Sequence, residues 1–329
     1  MIVKDVSFTP YYLKLLCLAN RLDPYHKKCE QVRDRIRREQ SGYIGEKRVL
    51  YPLKKLDFPN FVLHNTRLQT VFSNKHFQMD FLLVTSNFIL IIESKNMSGE
   101  VMMKEGSHQI FHHDKAYDDP INQVEEQKFQ LVNWLEQRSY GKVPIETVVV
   151  MTSPNVRMNI HPSHEEHVKK IIPLAKLPAY IRTVNEQYNQ RVLSINNARQ
   201  LAYYFKECHE DYDPDILERF GVASEELLQG VTCEKCKFLT MVMSNLRWRC
   251  TKCGHVSRDG VHTAFKDYYL LKGNTIINRE FMQFTGITSR HTAKSMLNKF
   301  SVKKEGIKRS TRYFLDFNYE RDFNYLKKK

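Results

Sequence analysis

An aspartate and a glutamate with twelve residues between them, and a lysine two places further on, are the side chains that metal-assisted attack on a phosphodiester requires. Here they are Asp80, Glu93 and Lys95. The chain between them forms two apolar segments, residues 78–85 and 88–95, around Ser86-Asn87. With a two-residue turn at Ser86-Asn87, Thr85 faces Phe88 and the register runs back to Asp80 opposite Glu93. Opposed residues share a face, and Lys95, two beyond Glu93, lies on it too. Converging carboxylates at the end of a buried hairpin are costly unless a cation binds there. A divalent metal is the natural counter-charge, so the pattern points to a metal-dependent phosphodiesterase.

The chemistry fits these residue types. Mg²⁺ (or Mn²⁺) prefers oxygen ligands and takes one or two carboxylates while keeping water and substrate phosphate. Asp80 and Glu93 supply the carboxylates. The metal acidifies a bound water, and Lys95 either orients that water or stabilises the transition state. A surface hairpin with a Glu93–Lys95 salt bridge is the plain alternative, but residues 89–92 read as a fully buried strand. Glu46 shares a helical stripe with Val49, Leu50 and Leu53, which aims it at the core; otherwise it is a first-turn glutamate. Gln123 sits near a helix start behind Pro120, suited to a phosphate or a catalytic water, or else simply solvated. His108, His112 and His113 read as surface strand residues.

The elements that must position these groups follow from patterning. Residues 1–40 read as helical, and a second helix is expected over 41–56, ending before Phe58-Pro59. Strands are expected at 61–68, 78–85, 88–95 and 99–104, a long helix at 121–138 and a buried strand at 147–151. This order predicts an α/β fold with a mixed sheet flanked by helices. Residues 161–230 are polar and mostly helical.

Residues 41–154 resemble the nuclease-related domain, a branch of the PD-(D/E)xK nuclease superfamily. The matching elements are Gly45-Glu46, Gln78-Met79-Asp80, Ile92-Glu93-Ser94-Lys95-Asn96, Gly99 and Pro120-Ile121-Asn122-Gln123. The resemblance implies a restriction-endonuclease-like fold, a catalytic set of Glu46, Asp80, Glu93, Lys95 and Gln123, and an accessory metal or water contact for Glu46. Ser94 departs from the apolar residue often found between the acid and the lysine. Strand alternation places it off the active face.

Cys233, Cys236, Cys250 and Cys253 form two Cys-x-x-Cys knuckles, the pattern of a zinc ribbon in which four thiolates hold one structural Zn²⁺. Seven cysteines, an odd count, suit a reducing compartment better than a disulfide framework. A hairpin around Ser244-Asn245 is expected to join the knuckles. Beyond it, helices at 262–271, 278–284 and 289–300 and a hairpin from 302–304 and 311–317 resemble a winged helix-turn-helix. Its outward face carries Arg290, His291, Lys294 and Asn298, with Lys308 and Arg309 in the hairpin loop.

Charge supports a polyanionic partner. Residues 233–329 hold 21 Lys+Arg against 8 Asp+Glu, whereas the first 232 residues hold 30 against 29. There is no 18-residue apolar run and no signal-peptide pattern, so a soluble, cytoplasmic protein is expected, without a membrane partner. The expected organisation is an N-terminal helical segment (1–40), a nuclease-related domain (41–160), a helical extension (161–231), a zinc ribbon (232–258) and a basic winged-helix-like domain (259–329). The expected function is a metal-dependent nuclease, with DNA favoured over RNA. Its rival is a non-cleaving nucleic-acid-binding regulator on the same fold.

Overall fold

The turn at Ser86-Asn87 is set by Thr85, whose Oγ1 accepts from the amides of Asn87 (3.1 Å) and Phe88 (2.9 Å). It reverses the chain between two strands that are buried on both sides. Phe88, Ile89, Leu90, Ile91 and Ile92 are all 0% exposed, as expected for a strand covered by helices on both faces.

The computed structural model describes residues 1–107, 109–244 and 247–327, and the side chain of Arg309 also falls outside the description. His108, the Asn245 half of the expected ribbon turn, and the Arg309 side chain therefore lie outside the described residues. In chain order the elements begin with β1 (Ile2–Lys4), α1 (Pro10–Arg21), α2 (Cys29–Leu53), β2 (Phe61–Gln69), β3 (His76–Val84) and β4 (Ile89–Lys95). Next come β5 (Gly99–Met103), β6 (Gln109–His112), β7 (Lys115–Asp118), α3 (Pro120–Glu136), β8 (Ile145–Met151), β9 (Val156–Ile160), β10 (Ile171–Pro173), α4 (Leu177–Gln187) and α5 (Ile195–Glu207). The remainder are α6 (Ile216–Phe220), β11 (Met241–Ser244), β12 (Arg247–Cys250), β13 (Val256–Ser257), α7 (His262–Lys272), β14 (Thr275–Ile277), α8 (Asn278–Thr285), α9 (Arg290–Phe300), β15 (Lys303–Glu305), β16 (Arg312–Phe314) and α10 (Asn324–Lys327).

The chain divides into two compact units, Met1–Val6 with Gln40–Asp211, and Ser7–Glu39 with Tyr212–Lys329. In the first unit a six-stranded mixed sheet runs β1-β2-β3-β4-β8-β10. β3 is antiparallel to β2 and β4, while β4 and β8 are parallel. Leu131, Trp134 and Leu135 of α3 and Leu201 and Phe205 of α5 bury one face. Val49, Leu50 and Leu53 of α2 and Leu177, Ile181 and Val184 of α4 bury the other. A second sheet, β7-β6-β5-β9, follows β4. The first unit departs from expectation in several places: the helix expected at residue 41 starts at Cys29, the first residues hold strand β1, and β7, β9 and β10 were not anticipated.

The second unit gathers α1 and the chain after residue 212 around one core. Leu13, Leu15 and Leu18 of α1 are buried with Phe265 and Tyr268 of α7 and with Trp248 of β12. Arg21 and Asp267, both buried, pair at 2.7 Å, and Arg21 also donates to the Leu228 and Gly230 carbonyls. Breaking a buried pair on one side leaves an uncompensated charge, which costs about 3–5 kcal/mol. The hairpin pairs Ser244 with Arg247 and Met241 with Cys250. After α7 the order is strand, helix, helix, strand, strand, with the strands arranged β14-β16-β15. Sequence patterning anticipated the three helices and the β15–β16 hairpin but not the short strand β14. Ser289 caps α9, accepting from the amide of Thr292 at 3.3 Å. Among the described residues no helix is long and apolar enough to cross a membrane.

Candidate active site and metal centre

β3 and β4 pair Val84 with Ile89, Leu83 with Leu90, Leu82 with Ile91 and Phe81 with Ile92. The ladder ends at Phe81–Ile92, one residue short of Asp80 on β3 and of Glu93 on β4. The neighbouring β2–β3 ladder is interrupted at the same place without any change of register. His64 pairs with Phe81 and Thr66 with Met79, while Asn65 between them has a φ of 49°. Phe77 and Met79, then Leu82 and Val84, face the core covered by α3 and α5, whereas Phe81 and Leu83 face the α2 and α4 side. The alternation of sides therefore breaks at Asp80.

At that break Asp80 meets Ser94. Its amide (2.9 Å) and its Oγ (2.8 Å) both donate to Asp80 Oδ2. The expectation that Ser94 lies off the active face is thus corrected: it is a direct partner of Asp80. An apolar residue there could not make the hydroxyl bond.

Glu93 is 3% exposed. Its Oε1 accepts from Lys95 Nζ and from Gln123 Nε2, each at 2.7 Å, and its Oε2 accepts from Gln127 Nε2 at 3.0 Å. Lys95 also donates to Gln123 Oε1 at 2.8 Å. Gln123 is placed by the start of α3, where Asp119 caps the amide of Ile121 and Pro120 occupies the first turn. Gln127, one turn later, also donates to the Gln78 carbonyl. Sequence reasoning missed Gln127, although the i, i+4 spacing from Gln123 on one helix face was the available signal.

Glu46 reaches the site from α2 and bonds His64 Nε2 at 2.7 Å. Gly45 lets the helix come this close: a Cβ there would lie 2.8 Å from Thr152 Oγ1 and 2.9 Å from Asn96 Cβ. Burial, then the charge of Glu93, push the Glu46 carboxyl up to about 7, with Lys4 opposing. Burial, then Glu93 and Glu46, hold the Asp80 carboxyl well above the usual carboxylate range. Burial and then Lys4 push His64 down to about 3, so its ring is neutral. Three mutually repelling, oxygen-bearing acids are a donor set that suits a hard divalent cation. Their oxygens do not converge as tightly as the cysteines do: among the described residues, the four cysteines are the one group of three or more potential ligands gathered within 4.8 Å of one another.

The Glu46 shift has a consequence for stability. An acid whose folded pKa is raised destabilises the fold only when ionised. The cost is absent below about 4.5, the ordinary value, grows as pH rises, and is complete above about 7. In divalent-free buffer, Glu46→Gln should therefore stabilise the first unit at pH 8 by about 2–3 kcal/mol and have little effect at pH 5. Thermal melts at the two pH values check this. An equal gap at both would contradict the account.

Cys233, Cys236, Cys250 and Cys253 gather in the second unit, with Sγ···Sγ distances of 3.7 Å (Cys233–Cys253) and 3.5 Å (Cys236–Cys250). Four sulfurs about 2.3 Å from a tetrahedral Zn²⁺ stand about 3.8 Å apart, so the group fits zinc and is too open for disulfides. Burial opposes ionisation of Cys250, but the Thr240 hydroxyl and the amides of Cys253 and Lys252 outweigh it and bring the thiol down to about 6. Burial pushes Cys233 up to about 12.

Arg290, His291, Lys294, Asn298 and Lys308 are all exposed. The first four lie on α9, and Asn298 accepts from Lys304 at 3.4 Å. His112 bonds the Ser98 carbonyl at 2.7 Å and, among the described residues, belongs to no group of three or more potential metal ligands.

Residues 41–152 match the family described as nuclease-related domain. No curated protein matches the chain. The crystal structure of protein VC1899 from Vibrio cholerae aligns at 12% identity with a TM-score of 0.30, over 55% of this chain and 51% of that one. The chain thus spans about half the length of that protein, and a score this low does not inform the fold.

Proposed function

We propose that the first unit is a metal-dependent nuclease acting on DNA and that the second, with a zinc ribbon and a winged-helix-like part, holds the substrate. The observation that carries this reading is the set formed by Asp80, Glu93, Lys95 and Gln123 at one end of the central hairpin, with Glu46 entering from α2. A bound Mg²⁺ or Mn²⁺ supplies an acidified water and neutralises charge developing on the phosphate. Asp80 and Glu93 are the residues that hold it, and Glu46 supports it. Lys95, positioned by Glu93 and Gln123, presents its ammonium to the phosphate oxygens. Gln123 holds Lys95 and orients the attacking water. Four thiolates leave no open position, so the zinc is structural.

One observation favours a second reading, a protein of this fold that binds DNA without cutting. Glu93 already accepts from three side-chain donors, and Lys95 or Gln123, which share Oε1, must yield it before a metal can use that oxygen. Mn²⁺ titration by calorimetry separates the two. The nuclease reading expects a second divalent site beyond the zinc, lost in Asp80→Ala. Identical isotherms for parent and variant would contradict it.

The holding role has its own expected result. Arg290→Gln, Lys294→Gln and Lys308→Gln together should weaken DNA binding and lower the slope of log affinity against log salt by about 0.9 for each phosphate no longer neutralised. An unchanged slope in fluorescence-anisotropy titrations would remove this face from the DNA interface. Truncation at residue 233 is not a usable substitute, because α1 buries Leu13, Leu15 and Leu18 in the core it would dismantle.

A further inference from the structure

On the outer side of α2, Ile44, Lys47, Arg48 and Tyr51 line an open groove of about 480 Å³ with Leu174. The groove belongs to the first unit. Val49, Leu50 and Leu53 commit the inner side of the helix to the core, and the outer side is left with an unusual composition. Tyr51 is 64% and Ile44 42% exposed. Lys47, Arg48, Lys54 and Lys55 are exposed as well. Tyr43, Lys47, Tyr51 and Lys55 recur at four-residue spacing, so they form one stripe. Lys47 lies 5.3 Å from the Tyr43 ring centre and Lys55 4.0 Å from that of Tyr51.

Single exposed apolar residues are ordinary, but an apolar floor walled by Lys47 and Arg48, with Lys55 beside the Tyr51 ring, suits one chemistry. Bases of an unpaired strand offer faces that stack on an aromatic ring, and their phosphates pair with flanking lysines and arginines. Duplex DNA hides those faces. We infer that this groove takes up an unpaired nucleotide of the substrate, with its base against Tyr51, Ile44 and Leu174 and its phosphates against Lys47 and Arg48. The inference rests on the nucleic-acid reading above and adds a single-strand contact to it.

Arg48 links the groove to the candidate site. Its Nη1 donates to Asn96 Oδ1 at 3.3 Å and to the Thr152 carbonyl at 3.4 Å. Asn96 directly follows Lys95 and is held by the Ser41 carbonyl at 2.9 Å. A strand engaged at Arg48 therefore lies against the segment that carries Lys95.

Equilibrium binding of the full-length protein to three labelled DNAs tests this: a single strand, the same strand with abasic sites, and its duplex. Binding in calcium without magnesium makes the readout independent of cleavage, so failure here is distinct from failure of the nuclease reading. Tyr51→Ala should weaken single-strand binding about tenfold, the loss of one base–aromatic stack, and leave duplex binding within about twofold. The parent should lose a similar factor on the abasic strand, and the variant little more. Tyr51→Phe, which keeps the ring, should bind like the parent and guards against misfolding of the alanine variant. Single-strand affinity unchanged in Tyr51→Ala, an equal loss on duplex, or Tyr51→Phe as weak as Tyr51→Ala would each overturn the inference.

Discussion

Asp80→Asn and Glu93→Gln should each lower metal-dependent DNA cleavage on the order of 10³-fold, the scale of removing a principal electrostatic group from an active site. These amide variants are more informative than alanine. Asn at position 80 can still accept from Ser94, and Gln at position 93 can still accept from Gln127, so loss of activity reports the lost charge. DNA affinity should stay nearly unchanged, because the charges proposed to neutralise phosphates lie on other residues. Rates close to the parent's would assign the activity to another site. Affinity falling in step with the rate would make the carboxylates part of a binding surface rather than of the chemistry.

Cys250→Ser should remove zinc and unfold much of the second unit while sparing the first. A structural Zn²⁺ contributes on the order of 10 kcal/mol to folding, comparable to the whole stability of a typical domain. The ribbon cannot loosen alone, since Cys233, Cys250, Trp248 and Met241 share one core with Leu13, Leu18 and Phe265. A Cβ at Gly260 would sit 2.7 Å from that of Trp248, which shows how tightly ribbon and α7 approach. Elemental analysis should find one zinc per chain. Hydrogen exchange should accelerate in α1 and α7 but not in β3 and β4. Protein purified without chelator that holds no zinc, or exchange unchanged in α1, would contradict this.

The sequence revealed the candidate site more fully than the arrangement around it. The Thr85–Phe88 turn and the apolar runs fixed the β3–β4 register, because both signals are local. The four cysteines were legible from spacing for the same reason. Ser94 was misplaced because alternation assumes a regular strand. The left-handed residue Asn65 lies on β2, between the partners of Phe81 and Met79, and nothing near Asp80 in the chain announces it. His64 and Lys4, which set the environment of Glu46, come from strands paired across some sixty residues of chain, as in the Lys4–His64 hydrogen bond. The place of α1 in the second unit was equally hidden. It depends on Arg21 meeting Asp267, 246 residues away, and an amphipathic helix does not state which core it will join.

The most direct test of the central claim is the metal dependence of DNA cleavage by the purified full-length protein. The zinc is retained, loosely held divalent ions are removed by dialysis, and Mg²⁺ or Mn²⁺ is then titrated back over plasmid and linear DNA. The account predicts no cleavage before addition, cleavage that rises with the ion and stops with chelator, and cleavage on the order of 10³-fold slower at every concentration in Asp80→Asn. Cleavage indifferent to the metal, or DNA bound tightly and left intact at every metal concentration, would contradict it.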